Sequence, residues 1–503
     1  MAISTLKYSS ISKSEIWKLK DLYKESGPEI FLDTIPLWVT SNPRFASHVA
    51  RIIVSSILDI IKETPSLKKE PIYIIEGGSG LGCFGFYCIN SIKVYLKQLN
   101  IKNLSIKFIF TDISKPLCNF WKKNQNIKSL IQSNNADTAI LDISQPFTSI
   151  KLEYSKETLN LHTLKFPIFF IANYVLSSLP FDEFQIKNNT LFEKKIHVKQ
   201  KVTQTSFSFK NLKLNYKFYP INSNHYKNSI LNKILSEYKT LLSNHYFIFP
   251  IKALMLLENL KKQCPNGLIM IASDKGLSKK QHFKTTNSSH LIAHDNFFSS
   301  STNFDTLKHF TELNNGSYIF SNNPNTNFDT YLFSLNRYSL TSTKNYVANS
   351  ETEANSTNGL LLRKMVRDNT KLTLEECLHC FYLSKYDPEM FLLVSDQLFN
   401  QFNTINHTQH DRLYYCLNKI NSNIFYQSNE RTQTLLVNLG VCFLKLNYPK
   451  KALKILHQAR KIYPPDIHVF SNLAIIYHHL KKPNWEKKYT TLTKSILKIS
   501  KKN

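Results

Sequence analysis

The sequence predicts a doubly wound α/β domain carrying an insertion, followed by an all-α domain. Three observations point to it. Short β-rich runs alternate with helical patterns from about residue 43 to 335. Five of only 11 glycines fall between Gly77 and Gly85, at the end of the first β-rich run. The last third is helical in its periodicity, with a polar stretch before it.

Val49, Ile52, Ile53, Ile57, Ile60 and Ile61 recur at helical spacing, which predicts an amphipathic helix over residues 43–62. Ile72-Tyr73-Ile74-Ile75 is a short strand ending on Glu76 and the glycines. A helix over 84–99 follows, then a strand over 107–111 that ends on Asp112. A helix over 116–130 leads to a third strand over 138–141, ending on Asp142. The run PIFFIA at 167–172 is a fourth strand, continuous in apolar residues as a buried parallel strand should be.

Residues 190–198 and 207–218 alternate as exposed strands do, and a helix is expected over 228–242. This predicts an inserted cap of about 187–245 over the active edge of the sheet. The core resumes with a helix over 251–264, a Pro265-Asn266-Gly267 turn and a strand over 268–273. Strands near 317–320 and 330–335 would finish the sheet as an antiparallel edge. Residues 339–373 are polar (TSTKNYVANSETEANSTNG within them) and are expected to be a linker between domains at 1–338 and 374–503. In the last domain Leu436, Leu439, Gly440, Phe443, Ala452, Leu456, Ala459 and Pro464 fall at the spacing of a 34-residue tetratricopeptide (TPR) repeat. Phe470, Leu473, Ala474 and Tyr477 restate its first helix, and a weaker unit lies upstream over 387–417. Such units bury their faces only by stacking, so two to four are expected.

Composition bounds the function classes. A chain of 503 residues with 42% hydrophobic residues is long enough for two or three packed domains. The net charge of +28 favours acidic partners, but Lys far exceeds Arg and the excess is spread along the chain, so nucleic acid is possible and not favoured. The eight cysteines are scattered, no secretory leader is evident, and a reduced, cytoplasmic setting is expected. Cys377-Leu378-His379-Cys380 has the spacing of a metal corner, but without a second pair it reads as helix packing, and no metal is expected. The longest apolar stretch, near 51–61, is too short and too interrupted to span a membrane.

The glycine loop admits more than one ligand. Gly80-Leu81-Gly82-Cys83-Phe84-Gly85 fits G-x-G-x-x-G, which leaves a dinucleotide open; a P-loop lysine is absent. Glu76, Gly78, Gly80 and Gly82 fit acid-x-Gly-x-Gly-x-Gly, the pattern suited to S-adenosyl-L-methionine (SAM). There Glu76 would meet the cationic amino group, Asp112 the ribose hydroxyls and Asp142 the adenine amine. SAM carries a sulfonium and no phosphate, so a cleft with acids at three strand ends suits it better than a dinucleotide.

The segment Ile171-Ala172-Asn173-Tyr174-Val175-Leu176-Ser177-Ser178-Leu179-Pro180-Phe181-Asp182-Glu183-Phe184 resembles the signature after the fourth strand of the MidA-like SAM-dependent methyltransferases, roughly A-N-E-x-x-D-A-L-P-x-x-x-F. Val39-Thr40-Ser41-Asn42-Pro43 and the stretch from Gly267 to Gly276 resemble two further segments of that family, so the likeness covers about residues 36–335. The resemblance implies a class I, Rossmann-like methyltransferase domain and, since members are associated with protein arginine methylation in respiratory complex I assembly, a protein substrate. Asn173 would then position the nucleophile. Tyr174 and Ser177 stand where the family has acids. Three readings follow: a methyltransferase acting on a protein side chain, with TPR repeats recruiting substrate or partner; a SAM-binding, non-catalytic adaptor; and an RNA or DNA methyltransferase.

Overall fold

The structure, a computed structural model, describes residues 7–33, 39–199, 213–222, 224–242, 244–278, 283, 291–294, 297–320, 328–350, 356–369, 371–427 and 429–500. The chain divides into two compact units, one of residues 1–41 and 45–357, the other of 42–44 and 358–503.

The first unit is built on strands β1 (Ile72–Gly77), β2 (Ile106–Asp112), β3 (Ala136–Ile140) and β4 (Ile168–Asn173). Then come β5 (Asp182–Lys187), β6 (Thr190–Val198), β7 (Leu214–Ile221), β8 (Tyr246–Phe249), β9 (Leu268–Leu277), β10 (Ser317–Phe320) and β11 (Phe328–Leu335). The central sheet runs β10-β11-β9-β4-β1-β2-β3, parallel from β9 to β3 and antiparallel at the β10-β11 edge. The order turns back between β1 and β4, and an open α/β sheet forms its ligand crevice at such a switch.

Interleaved are α1 (Pro43–Glu63), α2 (Cys83–Gln98), α3 (Lys115–Lys123), α4 (Gln125–Gln132), α5 (Ser229–Leu241), α6 (Ile251–Gln263), α7 (Phe304–Leu313) and α8 (Thr341–Ala348). The single helix expected over 116–130 is two. Asn124 adopts an extended backbone conformation and its side chain accepts from the N–H groups of Asn126 and Ile127, starting a new helix. The core is apolar from both sides: Ile75, Ile109, Phe170, Ala172, Met270 and Phe333 of the sheet pack with Leu254, Leu257, Leu307 and Phe310 of the helices.

The insertion is a second, antiparallel sheet in the order β6-β5-β8, with Ser9–Ser10 and β7 both pairing with β6. It therefore begins at Asp182, before the expected 187, and takes in β8 after 245. The reason is pairing: residues 182–187 hydrogen-bond to both β6 and β8. Residues 207–212 of the expected second exposed strand lie outside the described residues, and β7 covers its remainder.

The polar stretch at 339–373, expected to be a linker, contains the division between the two units and also α8 and α9 (Ser356–Asp368). Its composition is polar because α8 is held by polar contacts. The Thr343 N–H and hydroxyl both donate to Asp59 Oδ2 at 2.9 Å, and the carboxylate is only 6% exposed. Residues 351–355 lie outside the described residues.

The second unit is helical: α10 (Leu374–Leu383), α11 (Pro388–Phe399), α12 (His407–Ser422), α13 (Glu430–Lys445), α14 (Pro449–Ile462), α15 (Ile467–His479) and α16 (Pro483–Ser500). Leu436, Leu439, Phe443, Leu456, Ala459, Leu473 and Tyr489 share its core. A Cβ on Gly440 would meet Leu456 Cγ at 2.9 Å, so the glycine lets α13 and α14 close up. No helix among the described residues is long and apolar enough to cross a membrane.

Candidate functional site

A cavity of about 250 Å³ opens at the carboxyl edge of β1, β2 and β4. Of the residues proposed from sequence, Glu76, Gly78, Gly80, Asp112, Asp142 and Asn173 line it. Gly82 does not. It lies behind the loop as the N-cap of α2, with φ +83°, where a Cβ would stand 2.6 Å from Ile127. Its left-handed backbone is what turns the chain into the helix.

The loop is fixed from below by its own hydrogen bonds. The Ser79 N–H donates to the Thr111 carbonyl at 2.8 Å, and the Thr111 hydroxyl donates to the Glu76 carbonyl at 2.6 Å. Trp121 Nε1–H donates to the Gly80 carbonyl at 3.0 Å. Gly80 has φ +53°, and a Cβ there would stand 3.0 Å from the Phe31 ring. Any side chain would meet both strained backbone and an occupied wall.

Asp112 ends β2 and is 1% exposed. Its Oδ2 accepts from the Gly80 N–H at 3.0 Å and from the Tyr23 hydroxyl at 3.2 Å, and its Oδ1 from the Ser114 N–H at 3.0 Å. Burial raises its pKa, against the pull of these donors. Asp142 departs from expectation. Strand β3 ends at Ile140, and Asp142 follows in the turn, where its Oδ1 accepts from Lys20 Nζ at 2.7 Å and from the Ser144 N–H and hydroxyl. Burial pushes its pKa up, but the Lys20 and Ser144 hydrogen bonds and the Lys20 charge hold it below the usual range.

Glu76 is the contrast: 1% exposed, with Oε2 unpartnered among the described residues. Burial lifts its pKa to about 8, opposed by a hydrogen bond from Ser79. A buried carboxyl without a cation beside it stays protonated, and a ligand ammonium is the group that would ionise it. Asn173 at the end of β4 likewise presents an unpartnered Oδ1. Tyr174 follows with φ +56°, its ring stacked on Phe328 at 5.7 Å. The Ser177 N–H donates to Asp274 Oδ2 at 2.8 Å. Asp274 is fully buried, which raises its pKa to about 6 although Ser177 stabilises the anion.

Sequence reasoning missed one wall. Trp17, Lys20, Tyr23 and Phe31 come from the N-terminal segment and line the cavity, as do Phe298 and Ser299. Trp17 packs on Phe298 at 4.7 Å and edge-on to Phe181 at 6.0 Å. No motif marks these residues, and the contacts of Lys20 with Asp142 and of Tyr23 with Asp112 span 122 and 89 positions.

The Glu76 pKa sets a pH dependence. Its proton is bound in the fold up to about pH 8 but leaves the unfolded chain near the ordinary carboxyl value of 4.5. Stability without ligand should therefore fall as pH rises from about 4.5 to 8. Glu76→Gln should flatten that slope, and thermal melting across this range reads it. An unchanged slope would place the titration elsewhere.

A family model described as "Putative S-adenosyl-L-methionine-dependent methyltransferase" matches residues 52–309, half of the chain. No curated protein matches. A crystal structure from Burkholderia thailandensis bound to S-adenosyl-homocysteine is similar at 10% identity, covering 62% of this chain and 75% of that one, with a TM-score of 0.42. A native crystal structure of an uncharacterized protein from the same organism is similar at 10% identity, covering 62% and 74%, with a TM-score of 0.39.

Proposed function

From the premise that the chain belongs to this family of SAM-dependent methyltransferases, we propose that it transfers the methyl group of SAM to a protein side chain. The observation that supports the site most is the buried Glu76, whose Oε2 has no partner among the described residues, beside a glycine loop that leaves no room for side chains. Glu76 would hold the ammonium of the methionine moiety. Gly78 and Gly80 would admit the cofactor, with Gly82 setting the turn. Asp112 would hold the ribose hydroxyls. A carboxylate offers about four lone-pair directions, and three donors already use three of them, both on Oδ2 included, so a diol held by both oxygens would displace the Tyr23 hydroxyl. Asp142 would accept from the adenine amine through the oxygen Lys20 does not engage.

SAM supplies an electrophilic methyl on a positively charged sulfur. The chain's part is to hold the acceptor in line and keep water out. Asn173 Oδ1 would orient the acceptor, and Trp17, Phe298 and Leu179 would close the acceptor side. The helices α10 to α16 would serve as TPR-like repeats that recruit the substrate or a partner. The antiparallel pair α13–α14, closed at Gly440, supports this, although the repeat pattern decays after α15.

Calorimetry with SAM and with NAD tests the cofactor. Wild type should bind SAM and not NAD, and Gly80→Val should lose SAM binding at least a hundredfold. Binding of NAD alone would defeat the reading. Transfer of a radiolabelled methyl group from SAM into lysate protein tests the acceptor, and label lost on RNase treatment would point to nucleic acid instead.

A further inference from the structure

The inserted sheet has one face that the cavity does not use. In a strand, alternate residues point to opposite faces, and directly paired residues share a face. Ile196 and Val198 of β6 and Leu214 of β7 point inward, packing with Ile11, Ile16, Trp17, Phe181 and Phe298. At this end of the strands the residues between them point away, whereas Leu191 and Ile221 at the other end of the same face pack with the main core. Register pairs Lys217 with Lys195 and Asn215 with His197, and the Lys199 N–H donates to the Lys213 carbonyl at 3.1 Å. Four lysines therefore share one face with His197 and Tyr219.

The rings and cations on this face interleave. Tyr8 lies 5.7 Å from His197 and 6.3 Å from Tyr219, centroid to centroid. Lys217 Nζ lies 5.0 Å over the Tyr8 ring and Lys195 Nζ 5.1 Å over that of Tyr219. Tyr219 is 36% exposed, and Lys199, Lys213 and Lys217 are exposed. The single acid among residues 190–199 and 213–221 is Glu193, wholly buried, with Lys195 Nζ at 3.4 Å and His225 Nε2 at 3.7 Å. The exposed charge of the face is thus entirely positive. This is local, not a consequence of the chain's average composition.

We propose that this face of β6 and β7 is a platform for single-stranded nucleic acid, with Lys195, Lys199, Lys213 and Lys217 on the phosphates and Tyr8, His197 and Tyr219 against the bases. An acidic peptide would satisfy the lysines but has no planar rings to stack, and partly exposed aromatics set among cations are the combination a flexible strand of bases uses. A duplex hides the ring faces that would stack, so the single strand is the fitting form. The inference is independent of the cofactor reading, because no residue of the platform lines the cavity.

The test uses the full chain and a fluorescein-labelled 20-nucleotide oligo-U, read by fluorescence anisotropy across a salt series. Neutralising four phosphates predicts a log–log salt slope of about −3, and Lys217→Ala should reduce it by about 0.7. Tyr219→Ala should weaken binding about tenfold or more at fixed salt, and Tyr219→Phe should restore it, as expected for stacking on a ring. Unchanged SAM affinity and melting temperature in these variants would confirm that the fold is intact. The proposal falls if oligo-U does not bind at low salt, if Tyr219→Ala binds as wild type, or if poly-glutamate displaces oligo-U at equal charge concentration. Should Tyr219→Ala fail to fold, Lys217→Ala and the salt slope still decide the matter.

Discussion

Asp112→Ala is expected to weaken SAM binding about a hundredfold or more. The carboxylate is where backbone and ligand would meet: it holds the Gly80 N–H at 3.0 Å and the Ser114 N–H at 3.0 Å, and it is the acceptor proposed for the ribose diol. A hydrogen bond to a charged group contributes about 1.5–3 kcal/mol, and a buried N–H left unpaired costs about 1–3 kcal/mol. Losing two such hydrogen bonds to the ribose diol, at about 1.5 kcal/mol or more each, comes to about 3 kcal/mol, or two powers of ten in affinity. Calorimetry at pH 8 reads the effect. Asp112→Asn should lose less, because its amide oxygen can still accept from Gly80. A loss below threefold for the alanine variant would remove Asp112 from the ribose site.

Gly85→Ala gives the largest expected effect on stability. Alanine in place of glycine inside a helix ordinarily gains about 0.5–1 kcal/mol. At this position an added Cβ would stand 2.3 Å from Phe110 Cε1 and 2.8 Å from Phe108 Cε1, both rings being buried, and 3.0 Å from Glu76 Oε2. Overpacking of that kind costs about 1–3 kcal/mol and sometimes more, so the clash outweighs the propensity. Since α2 carries the loop forward from Gly82, moving the helix off the sheet would also disturb the cavity. Thermal unfolding should show a melting temperature lower by several degrees, and Gly85→Val should fall further. A stabilised alanine variant would show that α2 can withdraw without cost.

These two positions differ in how they were legible. Gly85 and the three loop glycines were visible as a cluster in a glycine-poor chain, and Asp112 as the acid closing a β-rich run. Gly82 read as a lining residue because a motif gives spacing but not which side of a turn each residue faces. Asp142 read as a strand end because Thr138–Leu141 is apolar and β-prone, but the observed strand starts at Ala136 and leaves Asp142 in a turn with Ser144 and Lys20. The helix break at Asn124 was missed because apolar periodicity continues across it, whereas one cap hydrogen bond decides the boundary. The polar segment containing α8 looked like a linker because nothing nearby in sequence shows that Asp59 will meet Thr343.

By itself the sequence determined the alternation of strands and helices, the glycine turn at the switch point of the sheet, the acids after the first strands and the helical character of the last third. All of these are local, written in periodicities of two and 3.6 residues and in the few residues that tolerate a left-handed turn. Tertiary structure alone decided which side chains wall the cavity. Trp17, Lys20, Tyr23 and Phe31 reach it from the N-terminal segment, and Lys20 occupies an acid 122 positions away. It also decided which face of the inserted strands is covered and which carries the lysines. Contacts of that range follow from loop closure and packing between elements, and spacing along the chain does not record them.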